Sequence, residues 1–286
     1  MKRCAIYTAL TGGYDALLQP DVVREDFDYL CFSSDIQERQ IGVWQVLPIP
    51  YENSDASRVS RYPKLNPHLV LPEYEASLYV DANVRITSQL YEALDRALES
   101  ETVCGMVPHG ERTNVYSEGF TLMLNVIGEP DLLYRQIRHL LQSRFPHSAG
   151  LFVCALLFRR HNAQCVVAFS HAWWRDFSAY CRRDQMSVMP ALAEAGLQPA
   201  MLIENDYLSR NTILHKFQSP PTNLNFMQKV KNFFPRRVRA AKLLFLYAFN
   251  GIPLKECFEA IRTSPSVFFF LRKRLHGVFS ASRTEV

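Results

Sequence analysis

The chain has no Cys-x-x-Cys pair, no Gly-x-Gly-x-x-Gly and no Gly-x-x-x-x-Gly-Lys-[Ser/Thr]. The first absence argues against a zinc knuckle or a disulfide framework. The seven cysteines (Cys4, Cys31, Cys104, Cys154, Cys165, Cys181 and Cys257) are odd in number and widely spaced. Most sit in apolar runs, where a free thiol behaves as a small core residue. The other two absences leave Rossmann dinucleotide and P-loop readings without support. No apolar stretch reaches the roughly 18 residues of a membrane span, and the first apolar run is too short for a signal sequence. A cytoplasmic protein is therefore expected, provided it acts where it is made. Internal repeats and low-complexity blocks are also missing.

The 286 residues are 48% hydrophobic and 21% charged, which is a globular composition. The length suits one large α/β domain with appendages, or two domains. Short apolar runs alternate with helical patterns over the first two hundred residues. Strands are expected at 4–10, 28–32, 43–49, 77–81, 102–108, 150–159 and 199–203. Helices are expected at 54–66, after Thr87-Ser88, from Pro130, at 163–180 and at 184–195, with Gly196 as a stop. This alternation predicts an α/β layer fold with a mostly parallel sheet flanked by helices. Ser219-Pro220-Pro221-Thr222 marks a boundary between a domain at 1–221 and a basic, aromatic-rich helical region at 222–286.

The most informative stretch is Ala76-Ser-Leu-Tyr-Val-Asp-Ala-Asn-Val-Arg-Ile86. Asp81 ends an apolar run and Asn83 follows two positions later, on the same side of an extended backbone. Such an oxygen pair suits Mg²⁺ or Mn²⁺, whose shell phosphate oxygens and water complete; it also suits a plain turn. Thr8 to Asp15, with Gly12 and Tyr14, reads as a nucleotide-edge loop or a β-turn. Arg58, Arg61 and Lys64 share a helical face that reaches a diphosphate or is simply solvated. His109 ends a strand as a sugar contact or as a cap. Asp184 and Gln185 offer a carboxylate and an amide for hydroxyl recognition, with Asp184 as a candidate base or a helix cap. His215, after the last strand, is a candidate third metal ligand or a structural histidine.

From Phe226 onward, twelve Lys and Arg face three Glu, while the rest of the chain is net acidic. Basic residues interleaved with Phe and Leu suit an anionic membrane surface or a packing appendage. No nucleic-acid motif occurs, so no nucleic-acid partner is expected.

The segments Tyr7-Thr-Ala-Leu-Thr-Gly-Gly-Tyr-Asp15, Asp28-Tyr-Leu-Cys-Phe32, Arg61-Tyr-Pro-Lys64 and Leu78-Tyr-Val-Asp-Ala-Asn83 carry a family resemblance. So do Pro67-His68, Leu71-Pro-Glu-Tyr-Glu75, Arg159-Arg-His-Asn162, Trp173-Trp174 and Arg182-Arg-Asp-Gln-Met-Ser187. In this order, over roughly residues 3–215, the chain resembles a glycosyltransferase-like family first filed as a domain of unknown function. Its plant members are tied to seed mucilage and turgor regulation. The resemblance implies a GT-A-type, Rossmann-like fold, a UDP- or GDP-type nucleotide-sugar donor, a glycan or glycolipid acceptor and a divalent metal. It puts Asp81 and Asn83 at the DxD position, where Asn83 keeps an oxygen and loses a charge. It puts Thr8 and Tyr14 near the nucleotide, Arg61 and Lys64 at the diphosphate, and Asp184 and Gln185 at the reacting sugar. Two alternatives remain: a metal-dependent hydrolase, although neither Gly-x-Ser-x-Gly nor His-Glu-x-x-His occurs, and a non-catalytic sugar- or nucleotide-binding subunit.

Overall fold

A computed structural model of the chain describes residues 2–11, 16–125, 129–213 and 226–263. The strands are β1 (Lys2–Ala9), β2 (Asp28–Ser33), β3 (Gln40–Ile41), β4 (Trp44–Pro48), β5 (Tyr74–Val80), β6 (Cys104–Pro108), β7 (Phe152–Arg159) and β8 (Ala200–Met201). The helices are α1 (Ala56–Leu65), α2 (Pro67–Val70), α3 (Ser88–Glu99), α4 (Val115–Leu124), α5 (Pro130–Gln142), α6 (Gln164–Ala179), α7 (Gln185–Glu194), α8 (Asn205–Asn211), α9 (Phe226–Phe249) and α10 (Lys255–Thr263). The chain divides into two compact units, Met1–Glu111 with Gly150–Thr222, and Arg112–Ala149 with Asn223–Val286. The segment carrying α4 and α5 thus clusters with the C-terminal helices.

The first unit holds all eight strands in one sheet, ordered β3-β4-β2-β1-β5-β7-β6-β8. β1 pairs in parallel with β2 and β5, β2 with β4, and β6 with β8. β3 and β7 run against their neighbours. Six strands therefore point one way, and the expected α/β fold with a mostly parallel sheet is what forms. Helices cover both faces, as buried parallel strands require.

Side-chain parity sorts the two faces. Ile6, Leu78, Val80, Leu156 and Phe158 join Leu90, Leu94 and Leu98 of α3 in one apolar core. The α3 repeat at every fourth position, read from the sequence, is the stripe that docks there. The alternate residues Tyr7, Tyr79 and Arg159 meet α1 instead: the Arg159 guanidinium donates to the Lys64 carbonyl at 2.8 Å and to the Tyr7 hydroxyl at 2.7 Å. α7 ends as its glycine predicts. Gly196 takes φ +62°, and the Leu197 N–H returns to the Leu192 carbonyl at 2.9 Å.

The second unit is helical among its described residues. Ala240, Leu243 and Tyr247 of α9 are buried at helical spacing, and the Tyr247 hydroxyl donates to the Tyr116 carbonyl of α4 at 3.0 Å. α9 stops at Gly251, φ +70°, where the Ile252 N–H reaches back to the Tyr247 carbonyl at 2.9 Å. No described helix is long and apolar enough to cross a membrane.

Candidate active site at the carboxyl end of the sheet

Ligands of open α/β sheets bind beyond the carboxyl ends of the strands. Here β5 delivers Asp81 to that edge, and the Asp81 N–H extends the ladder to the Ala155 carbonyl at 2.9 Å. Asp81 shares parity with Tyr79, so it emerges on the face covered by α1. The Tyr79 hydroxyl donates to Asp81 Oδ1 at 2.9 Å.

α1 starts at Asp55, whose carboxylate accepts from the Ser57 N–H at 3.1 Å. Its last turn carries Lys64, which is not solvated but 1% exposed. Lys64 Nζ lies 2.6 Å from Asp184 Oδ2, 3.4 Å from Asp81 Oδ1 and 4.8 Å above the Tyr79 ring. One buried ammonium thus joins the end of β5 to the start of α7. Arg61, one turn earlier and half-buried, places Nε 3.5 Å from Asp184 Oδ2. Arg58 departs from the shared face: it donates to the Ser178 carbonyl at 2.6 Å.

Asp184 caps α7, its Oδ1 accepting from the Gln185 N–H at 3.0 Å. Burial alone would raise its pKa, but the Lys64 ammonium, then Arg61, outweigh that and hold the carboxyl below the usual carboxylate range. Such a group is a weak proton acceptor. Its environment favours the cap and cation anchor over the base. For Arg61, burial opposes the charge, yet Asp184, Tyr79 and Asp81 raise its pKa further. Gln185 turns its amide to the Phe152 carbonyl at 3.3 Å.

Asp81 Oδ2 has no hydrogen-bond partner among the described residues, and its side chain is about one-third exposed. The Asn83 Nδ2 donates to the Ile213 carbonyl at 3.4 Å, which leaves the amide oxygen as an acceptor. The extended backbone expected through Asn83 does not form: residues 82 and 83 make a turn closed by the Val84 N–H on the Asp81 carbonyl at 2.9 Å, so the Asn83 oxygen is offered from a turn, and any Mg²⁺ or Mn²⁺ shell would need phosphate and water to complete it. The described residues contain no cluster of three or more His, Cys, Asp or Glu that would hold a metal alone.

The other expected residues are distributed as follows. Thr8 ends β1 beside β5, buried, with its hydroxyl unpaired. His109 follows β6 and is engaged locally: its N–H bonds the Leu151 carbonyl at 2.9 Å, and Nδ1 accepts from the Glu111 N–H at 3.0 Å. Gly12, Tyr14 and His215 lie outside the described residues.

Tyr79 and Arg159 belong to this region and are not among the site residues expected from the sequence. For Tyr79 the signal was present, since it stands two positions before Asp81 on one strand. Arg159 is fully buried, with Nε and Nη1 unpaired, and nothing in its neighbourhood in sequence reveals that. The paired tryptophans separate as adjacent helical residues must. Trp173 is buried and donates to the Asp184 carbonyl at 2.9 Å, while Trp174 stands edge-on to the stacked Tyr51 and Tyr62.

Comparison with known proteins adds a family. No curated protein matches the sequence. Among solved structures, the chain is similar to a WbbM bifunctional glycosyltransferase without ligand, at TM-score 0.41 and 11% identity over 83% of this chain. It spans 45% of that chain's length. It is also similar to mouse xyloside xylosyltransferase 1 in its apo form, at TM-score 0.38 and 11% identity, over 70% of this chain and 84% of that one. Both likenesses are remote. The model of the TOD1/MUCI70 glycosyltransferase-like domain matches residues 29–204, more than half of the chain, and the protein belongs to that family.

Proposed function

We propose that the chain transfers a glycosyl group from a nucleotide-sugar donor to a hydroxyl of a glycan or glycolipid acceptor. The observation that carries this reading is the single buried ammonium of Lys64, held between Asp81 and Asp184 at the carboxyl edge of the sheet with Arg61 alongside. Family membership supports it.

Breaking the anomeric C–O bond leaves negative charge on a departing nucleoside diphosphate. Preorganised cations in a poorly solvated site stabilise such charge as it develops. Lys64 and Arg61 supply two, and Asp184 fixes both in place without competing for their protons. Asp81 Oδ2 and the Asn83 amide oxygen would hold a divalent cation together with the donor's phosphates. When bound, that cation supplies further charge neutralisation at the leaving group. Gln185 stands at the same helix start and suits a sugar hydroxyl. The acceptor hydroxyl attacks the anomeric carbon and its proton passes to a base. Asp184 is ill-suited to take it, and the leaving phosphate or solvent fits better.

The test is release of nucleoside diphosphate from a panel of UDP- and GDP-sugars, with and without Mn²⁺ and an acceptor glycan. Arg61→Gln, which leaves the buried pair intact, should lower kcat about a hundredfold, the usual cost of one charge-stabilising donor. Asp81→Ala should abolish turnover and any Mn²⁺ stimulation. Full activity of Asp81→Ala, or no donor that is either consumed or raises the melting temperature, would sink the reading.

A further inference from the structure

The described part of the second unit places an unusual surface on α9. Val238, Ala241, Lys242, Phe245 and Phe249 recur at helical spacing and are all exposed, Phe245 at 74% and Phe249 at 84%. They lie opposite the buried stripe of Ala240, Leu243 and Tyr247. The helix thus has two apolar faces, and one of them has no protein covering it among the described residues. A shallow groove of about 500 Å³ runs along this face, lined by Tyr134, Val238, Ala241, Lys242, Phe245 and Leu246. Its lining is apolar apart from the Lys242 ammonium and the Tyr134 hydroxyl.

Among the described residues, highly exposed phenylalanine is confined to this unit. The highly exposed Phe side chains among the described residues are Phe245, Phe249 and Phe258, all on α9 and α10. Residues 226–263 also carry eight Lys and Arg against two Glu. An apolar stripe bearing a cation, on a helix rich in cations, matches the headgroup region of a bilayer with anionic lipids. Aromatic rings enter the acyl boundary there while lysine reaches out to phosphate.

We infer that the Val238–Phe249 face of α9 docks on an anionic membrane surface, with Phe245 and Phe249 inserted and Lys242 at the phosphates. Docking of this kind is independent of the sugar-transfer reading and stands or falls separately from it.

The experiment is co-sedimentation of the full chain with phosphatidylcholine vesicles containing none or about one-third phosphatidylglycerol. The wild type should partition onto the anionic vesicles and much less onto the neutral ones, and raised salt should release it. The double substitution Phe245→Ser and Phe249→Ser should weaken partitioning at least tenfold with an unchanged melting temperature, since both side chains are already in solvent. Lys242→Glu should weaken it by about fivefold or more, the worth of one basic residue at such a surface. Wild-type protein that stays in the supernatant with anionic vesicles overturns the inference. So does a double variant that binds as well as wild type. A wild-type dimer that fails to bind vesicles, and that the double substitution converts to monomer, also overturns it, because the face would then join two copies of the chain.

Discussion

Two ion pairs, one in each unit, show how differently the two regions use charge. Lys64 and Asp184 are 2% and 11% exposed in their side chains, and their partnership ties α1 to the start of α7. Arg239 and Asp131 join α9 to α5 at 28% and 80% exposure. The first unit takes charges out of water and must satisfy them internally. The Arg239–Asp131 pair of the second unit stays in solvent, although that unit also buries Glu118 against Arg112, and the same unit leaves phenylalanine uncovered. Buried charge of the first kind is costly, and proteins retain it where a site has to present charge in a fixed place. Uncovered aromatics of the second kind are costly too, and point to a surface that meets something else.

The largest expected effect is on the buried pair. Lys64→Met leaves the largely buried Asp184 carboxylate without its nearest cation. Breaking one side of a buried pair costs about 3–5 kcal/mol. All three tryptophans, Trp44, Trp173 and Trp174, lie in the first unit, so their fluorescence reports that unit alone. Denaturant titration followed by fluorescence should show the midpoint falling sharply. A change below about 1 kcal/mol would place the pair in the weak surface class and erase the contrast.

A smaller effect separates two pH windows in the same unit. Burial lowers the pKa of His161 to about 4, and the ring sits fully enclosed between the Ser77 hydroxyl at 2.9 Å and the Leu71 carbonyl at 2.7 Å. His68, packed against His171, is also lowered to about 4, first by burial and then by the neighbouring charges. Both fall below the ordinary 6.5, so the unfolded chain takes up protons first as pH drops. Stability is therefore complete above pH 6.5 and declines from there to about 4, by ~2–3 kcal/mol for His161 alone. Asp184 acts lower down. Its folded pKa lies under the unfolded 3.8, so its contribution is complete above that value and is lost as pH falls further. His161→Gln should make the decline between pH 6.5 and 4 shallower, keeping the part due to His68, and leave the lower window unchanged. A fluorescence-detected stability that stays level from pH 7 to 4 would contradict the buried, neutral imidazole.

Much of the first unit was legible in the sequence, and the reasons are specific. β5 and α3 were visible because each buries one or both faces in a regular period, and Gly196 marks its helix end because a left-handed residue is needed there. The approach of Asp81 to α1 follows from strand parity. The burial of Lys64 does not, since the spacing of Arg61 and Lys64 is equally that of a solvated face. The reversed direction of β7 was not legible either: an apolar run states that a strand forms, not which way it points. α4 is not expected from the sequence because nine of its ten residues are buried, so it has no polar face to set a period. Its one local mark is Asn114, whose side chain accepts from the Ser117 N–H at 2.9 Å.

The smallest expected effect falls on the exposed pair, and it sharpens the comparison most cheaply. Arg239 and Asp131 are close enough to pair, as Lys64 and Asp184 are; what differs is access to water. Solvent screens the exposed pair and hydrates each partner when the other is removed. Arg239→Ala should therefore cost less than about 1 kcal/mol in a denaturant titration followed by helical circular dichroism, and less still at raised salt. Asp131→Ala should cost the same small amount, and the double variant little more than either. A loss approaching that of Lys64→Met would mean that α5 and α9 hold together through this contact. This pair would then behave as the buried one does, and access to water would not be what separates them.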